Sequence, residues 1–286
     1  MIAHAADRRE RLAGEGFTID LVASDLNRRL QVLDAEVDDP TAAVAALVRR
    51  AAQAGYGKVF WKAPAALADE LVAAGLRAEA TIDGYYDGEN ATVVAAYPDP
   101  DRAHRRDALE QDAILAAVRS RAPRPEPRPL PGGYRAATAT AADAHDLARL
   151  YGEVFASYPF PITDPDYLVA TMRGHVVYRV VRDDDGRLVA AASAETAPHH
   201  RNAEMTDFAT LPDQRGLGLA LGLLAALEDE MAQRAIPNLY TIARARSAGM
   251  NHVFANRGYR WTGTLVNNCH IAGRFEDMHV WCRRLA

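Results

Sequence analysis

The sequence predicts an α/β (α+β) protein in two parts. Strand-like and helix-like stretches alternate along most of the chain, and a proline-rich segment interrupts them near residue 130. A glycine-containing loop then joins a strand to a long apolar helix within residues 202–235. The length, 286 residues, is too great for one small domain and suits two of moderate size.

The division is set by residues 121–133 (RAPRPEPRPLPGG), with proline at 123, 125, 127, 129 and 131. Proline at every second position removes N–H donors and stiffens an extended chain. A linker over 123–133 is therefore predicted between an N-terminal α/β domain (1–122) and a C-terminal domain (134–286). After the linker the pattern predicts a strand at 134–138, then a helix at 142–155 with Leu147, Leu150, Tyr151 and Val154 on one stripe. A turn-rich segment (158–165) and a short helix (166–172) follow. Strands at 175–182 and 187–196 are joined by Asp183-Asp184-Asp185-Gly186, a hairpin signal. Next come a strand at 202–210 closed by Pro212, the helix at 218–235, a strand at 239–243 and a helix at 248–256 ended by Gly258. Strands at 260–266 and 277–283 complete the order. Ahead of the linker the pattern gives a strand at 57–63, a helix at 67–74 and a break at Gly75-Leu76-Arg77. Two more strands carry Asp83-Gly84 and Asp87-Gly88 between them, and helical spacing runs over 102–121.

Composition excludes several classes. With 49% hydrophobic and 25% charged residues the chain is not disordered by default. A net charge of −5 and a pI near 6.0 argue against a nucleic-acid-coating surface. Cys269 and Cys282 form neither a disulfide framework nor a metal spacing, and His199-His200 lacks carboxylate or cysteine at ligand spacing. There is no 18-residue apolar run, and the first residues (MIAHAADRRERLAGEGF) lack a signal-peptide core. The expectation is a cytoplasmic protein without metal, membrane or nucleic-acid partner; composition leaves oligomeric state open.

The loop Arg215-Gly216-Leu217-Gly218-Leu219-Ala220 carries the chemistry. Glycines between a strand and a helix let the backbone approach a bound group, while the first helical N–H groups point outward, which suits an anion such as phosphate. Leu221 stands where a dinucleotide-binding fingerprint has its third glycine, and no Lys-Ser/Thr pair makes a P-loop. The remaining pattern, R-x-x-G-x-A, resembles the pyrophosphate loop of the GCN5-related N-acetyltransferase (GNAT) superfamily. The resemblance implies a mixed central sheet with helices on both faces, and acetyl-coenzyme A as co-substrate with no metal. It also implies a diphosphate cradle of Gln214, Arg215, Gly216, Leu217, Gly218 and Leu219, and a pantetheine arm paired with the backbone of Phe208 and Thr210. Longer stretches (GKVFWKAP, GLRAEATIDGYYDGENA, YPFPI, EMTDFATLPDQRGLGLA and GTLVNNCHIAGRFEDMHVW) extend the similarity over both parts, to the β-lysine N-acetyltransferases, which make the osmolyte Nε-acetyl-β-lysine. Against that fold, the N-terminal part is either a degenerate half without a glycine loop or an ordinary strand–helix–strand unit.

Acetyl transfer to an amine needs a group that accepts the ammonium proton. Glu204, eleven positions before Arg215, lies at the offset of the catalytic glutamate in histone-acetylating members of the superfamily and is the first candidate. Asp207 is the second, although simple alternation puts it on the opposite strand face unless the strand bulges. The resemblance places a leaving-group tyrosine where this chain has Phe254, so Tyr240 and Ser247 are the remaining donors, Ser247 also a coenzyme-binding candidate. Tyr158, Phe160, Asp164, Asn267, Asn268 and Glu276 are candidates to line the acceptor site. Acetylation of another small amine (lysine, a polyamine or a diaminobutyrate-like compound) stays open at this point. So does a coenzyme-A-binding module without catalysis.

Overall fold

A computed structural model describes residues 7–124, 126, 129–271 and 273–286; Pro125, Pro127 and Arg128 of the expected linker lie outside the described residues. Two sheets organise it. The first runs β1 (Arg8–Gly14), β2 (Phe17–Ser24), β3 (Arg29–Val37), β4 (Lys58–Pro64), β6 (Glu89–Ala96), β5 (Arg77–Tyr86) in spatial order. Helix α1 (Pro40–Gln53) follows β3, and α2 (Ala65–Ala73) follows β4. After α3 (Ala108–Arg119) come β7 (Arg135–Thr138), α4 (Ala144–Val154), α5 (Pro165–Arg173), β8 (Val176–Arg182), β9 (Leu188–Ala197) and β10 (Asn202–Thr210). Then follow α6 (Leu219–Gln233), β11 (Asn238–Arg244), α7 (Ala248–Asn256), β12 (Arg260–Ile271) and β13 (Arg274–Arg284), and the second sheet is ordered β7-β8-β9-β10-β11-β13-β12.

Without β7 the second order is the first repeated. In that shared order each sheet has two antiparallel pairs, one parallel pair (β3·β4 and β10·β11), and then an antiparallel pair onto a closing antiparallel hairpin whose strands exchange places. Helices α1 and α6 occupy one equivalent connection, α2 and α7 the next. The N-terminal part is therefore a second half of the same topology, lacking the first strand and the two helices before β8. Its strands β1–β3 and helix α1 were not foreseen. Edge strand β1 (RRERLAG) is mostly exposed and reads as a solvated charged run.

Several local expectations change in detail. Asp87-Gly88 turns the chain between β5 and β6, whereas Gly84 lies inside β5 at a register shift, with φ +63°. Helix α3 sits ahead of the expected boundary at 122, yet Leu115 and Val118 join the core of the second half, with α3 against α7. Strand β12 extends past 266 to Ile271, and Asn267 bulges within it at φ +44°. Beyond the undescribed positions Leu130 packs against α6 at Gly222.

The sheets meet face to face. Along β4, Val59, Trp61 and Ala63 point to α1 and α2, while Lys58, Phe60 and Lys62 point to the second sheet. Phe60, Ile82 and Val93 pack there against Tyr240, Leu265, Met278 and Val280. Contact is so close that a Cβ at Gly263 would collide with the Glu79 carbonyl. Beside it lies an ion pair with both side chains fully buried, Lys58 Nζ to Glu79 Oε2 at 2.8 Å. Lys58 also donates to the Val266 carbonyl at 2.7 Å, and Glu79 accepts from Tyr97 Oη and from Val266 N. Burial pushes the Lys58 ammonium down to about 8, against the pull of Glu79, so it stays charged at neutral pH. Removing one member leaves a buried charge alone. Lys58→Met is expected to cost about 3–5 kcal/mol in chemical denaturation, with much of it recovered in Lys58→Met/Glu79→Leu.

Candidate active site

The site is built where two parallel strands part. β10 and β11 pair only at Asn202–Asn238, Ala203–Leu239 and Glu204–Tyr240. Beyond that β10 bulges: Asp207 takes φ +53°, and its register with β9 shifts between Thr206 and Ala209. The edge of β10 toward β11 is left without a strand partner over Phe208–Thr210, which opens a V with Glu204 and Tyr240 at its vertex.

The glycine loop lies at the mouth. Gly216 and Gly218 have φ +83° and +80°, and a Cβ on either would meet nothing within 4 Å, so open space faces the loop. Gly218 is the N-cap of α6, and no side chain caps the helix, which leaves its first N–H groups facing that space. Arg215 Nε reaches the Thr210 carbonyl at 3.3 Å, Tyr134 Oη donates to Gln214 Oε1 at 2.5 Å, and Leu217 is exposed. The equivalent helix start in the first half differs: the Asp39 carboxylate accepts from Ala42 N. That negative cap fills the place of an anion.

On the face of β8–β10 covered by α4 and α5, three carboxylates gather. Glu195 is directly opposite Glu204 across the β9–β10 pair. The bulge turns Asp207 to the same face, where Ser193 Oγ and Tyr158 Oη donate to its two oxygens at 2.6 and 2.7 Å. Burial raises the Asp207 pKa against those bonds. With both Asp207 oxygens engaged, Glu204 is the carboxylate at the vertex. Burial lifts Glu204 above the ordinary glutamate range, partly offset by the Lys62 ammonium. Lys62, from β4 of the first half, lies 3.7 Å from Glu204 Oε2 and donates to Tyr240 Oη at 2.9 Å. Burial keeps the Tyr240 phenol protonated well above its usual value.

The other candidates are scattered. Phe254 is buried between Phe208 and Tyr259, with ring centroids 5.4 and 5.2 Å away, and offers no hydroxyl. Phe160 is exposed, and Asp164 caps α5 through Asp166 N. Asn267 is committed to the interface between the halves, donating to the Arg102 and His104 carbonyls, and the neighbouring Asn268 carbonyl accepts from Arg29. Glu276 pairs with Arg274 at 2.7 Å in a cavity of about 300 Å³ that Arg244, Arg246 and Ser247 also line. Lys62, Glu195 and Arg244 were missed. A lysine inside an apolar strand (VFWKA) and a glutamate inside an alanine-rich one (LVAAASAETA) were the signals.

A family model described as Acetyltransferase (GNAT) family matches residues 144–259. Beta-lysine N(6)-acetyltransferase of Methanosarcina mazei is 35% identical over 80% of this chain and 92% of its own length. The chain belongs to the GNAT acetyltransferase family. Beta-lysine N(6)-acetyltransferase of Methanococcus maripaludis is 33% identical over 90% of this chain and 93% of its own, and N-acetyltransferase YodP of Bacillus subtilis is 40% identical over 72% and 74%. This acetyltransferase is thus an acyltransferase enzyme, and GNAT enzymes use acetyl-coenzyme A. The uncapped α6, the open glycine loop and the splayed strands fit that group, and Gln214–Leu219 are the residues that would hold its diphosphate. Among the described residues no helix is long and apolar enough to cross a membrane.

Gly218→Asp is expected to abolish coenzyme A binding while the protein still folds. Aspartate tolerates the left-handed backbone, but its charge would occupy the anion position. Titration calorimetry checks it; unchanged affinity would move the cradle elsewhere.

Proposed function

We propose that this acetyltransferase transfers acetyl from acetyl-coenzyme A to the 6-amino group of β-lysine (3,6-diaminohexanoate). The observation that carries the reading is the carboxylate surplus at the vertex: Glu195 directly opposite Glu204, with Asp207 beside them. Like charges opposite one another on adjacent strands are unfavourable, and an acceptor with two ammonium groups relieves them. The names of the two methanogen relatives support the same substrate. The acceptor carries two positive charges and one negative. Acetylation leaves a net-neutral zwitterion, a property suited to an osmolyte.

An alkyl-ammonium with a pKa of ~10.4 is almost wholly protonated at neutral pH. Glu204 accepts its proton, directly or through water, as the neutral amine forms. Acetyl-coenzyme A supplies the activated thioester carbonyl. Tyr240 accepts from Lys62 and shares a hydrogen bond with Glu204, so its O–H would turn from that carboxylate to donate towards the departing sulfur, Phe254 having no hydroxyl. For the acceptor carboxylate the fitting partner is Arg244, on the same β11 face as Tyr240. Arg246 pairs with Asp107 and Glu110, and Arg274 with Asp107 and Glu276, while Arg244 has no acidic partner among the described residues.

Glu204→Gln is expected to lower turnover at pH 7 by ~10²–10⁴-fold without weakening coenzyme A binding. Because the Glu204 pKa is raised, wild-type kcat/KM should climb with pH through a value above the usual glutamate range as the carboxylate ionises. Near wild-type turnover of the mutant between pH 6 and 9 would remove Glu204 from the mechanism.

An acceptor series tests the substrate. β-Lysine is expected to exceed lysine, whose displaced second amine mispairs at ~1–3 kcal/mol, roughly 5- to 150-fold in kcat/KM. 1,5-Diaminopentane, without the carboxylate, should be poorer still, and Arg244→Met should erase the gap between it and β-lysine. Equal rates on both lysines, or a preference for the diamine, would defeat the assignment and leave the acetyltransferase standing.

A further inference from the structure

The first half has no glycine loop, and the carboxylate of Asp39 caps its equivalent helix. It nevertheless sends one charged side chain into the active site of the other half. Strand β4 carries two lysines in an otherwise apolar run, Lys58 and Lys62, both facing the second sheet. Lys58 ends in the interface pair with Glu79. Lys62 ends at the vertex. Its ammonium donates to Tyr240 Oη at 2.9 Å and lies 3.7 Å from Glu204 Oε2, 5.1 Å from the Tyr85 ring centre and 4.9 Å from that of Tyr240. The Lys62 carbonyl accepts from Tyr86 Oη at 2.6 Å, which pins β4 to β5 there. The lysine comes from the stretch GKVFWKAP and Tyr85 and Tyr86 from the stretch ending GYYDGENA.

We infer that Lys62 is a positioning residue for acetyl transfer, holding Glu204 ionised, so that the first half completes the catalytic centre of the second. The inference rests on Glu204 acting as the general base. Glu204 is faced by Glu195 from β9, with His175 beyond it at 3.3 Å, by Asp207 on its own strand, by Tyr158 from the loop before α5, by Tyr240 from β11, and by Lys62 and Tyr85 from the first half. Burial and like charge both disfavour the anion, and both raise the Glu204 pKa here. Lys62 is the cation within ion-pair distance of Glu204. It is too far to hydrogen-bond the carboxylate, so it supplies charge without taking the oxygen that must receive a proton. Its own charge is secure: burial opposes the ammonium, but Tyr85, Glu204 and Glu195 hold its pKa above the usual lysine value.

The test is a double-mutant cycle in the full chain with Lys62→Met, Lys62→Arg and Glu204→Gln. Lys62→Met is expected to lower kcat/KM at pH 7 by about 10- to 100-fold, to move the acid limb of the pH profile upward and to leave coenzyme A affinity unchanged. Lys62→Arg should keep the wild-type limb and most of the rate. In the Glu204→Gln background, Lys62→Met should cost less than about threefold, because its partner is already gone. An equal loss at every pH, repeated in full in the Glu204→Gln background, would overturn the role of Lys62, as would a wild-type profile in Lys62→Met. Near wild-type turnover of Glu204→Gln alone would instead remove the general-base reading, and this inference with it. Should Lys62→Met fail to fold, Lys62→Arg and Lys62→Gln carry the same pH-profile comparison.

Discussion

The contact of one sheet on the other is the constraint on which the rest of the molecule depends. β5 lies against β12 and β13 so closely that position 263 has no room for a side chain, and the Lys58–Glu79 pair is sealed beside it. A buried pair of this kind adds little net stability compared with apolar packing, but it penalises any slip that separates its members. Register follows from that penalty. With Lys58 fixed against Glu79 and Val266, the alternation of β4 carries Lys62 to the same face four residues on, next to Glu204 and Tyr240.

The two halves show how one topology supports different tasks. In each, a helix begins after the strand that pairs in parallel with its neighbour, and its N-terminus carries partial positive charge. In the second half Gly218 leaves that end open, and the bulged strand beside it splays away. In the first half Asp39 closes the end with a carboxylate. A single residue type at the helix start thus separates an open helix end from a capped one. The half with the capped end packs its sheet against the half with the open one.

Charge at the vertex is a balance of opposed terms. Burial raises the pKa of Glu204 and Asp207, and Glu195 across the strand adds to that rise. Ser193 and Tyr158 stabilise the Asp207 anion by hydrogen bonds, while Lys62 acts on Glu204 through space. The two carboxylates therefore differ in availability: both Asp207 oxygens accept hydrogen bonds from neighbours, while Glu204 has a cation 3.7 Å away.

Much was legible from local pattern. Periodicity placed nearly every strand and helix after residue 57, because apolar spacing and turn residues are properties of adjacent side chains. The strand–glycine–helix order, found at β10, Gly216–Gly218 and α6, was legible for the same reason. The mostly exposed β1 was not legible because its edge position and charge mask the alternation. What the tertiary structure decided was everything that joins residues far apart in sequence. The bulge turned Asp207 towards Ser193 and Tyr158, and the sheet contact took Asn267 into the interface between the halves. The same contact delivered Lys62 across 142 residues to Glu204. No spacing rule encodes such meetings, since they follow from the packing of two faces whose relative register only the folded chain defines.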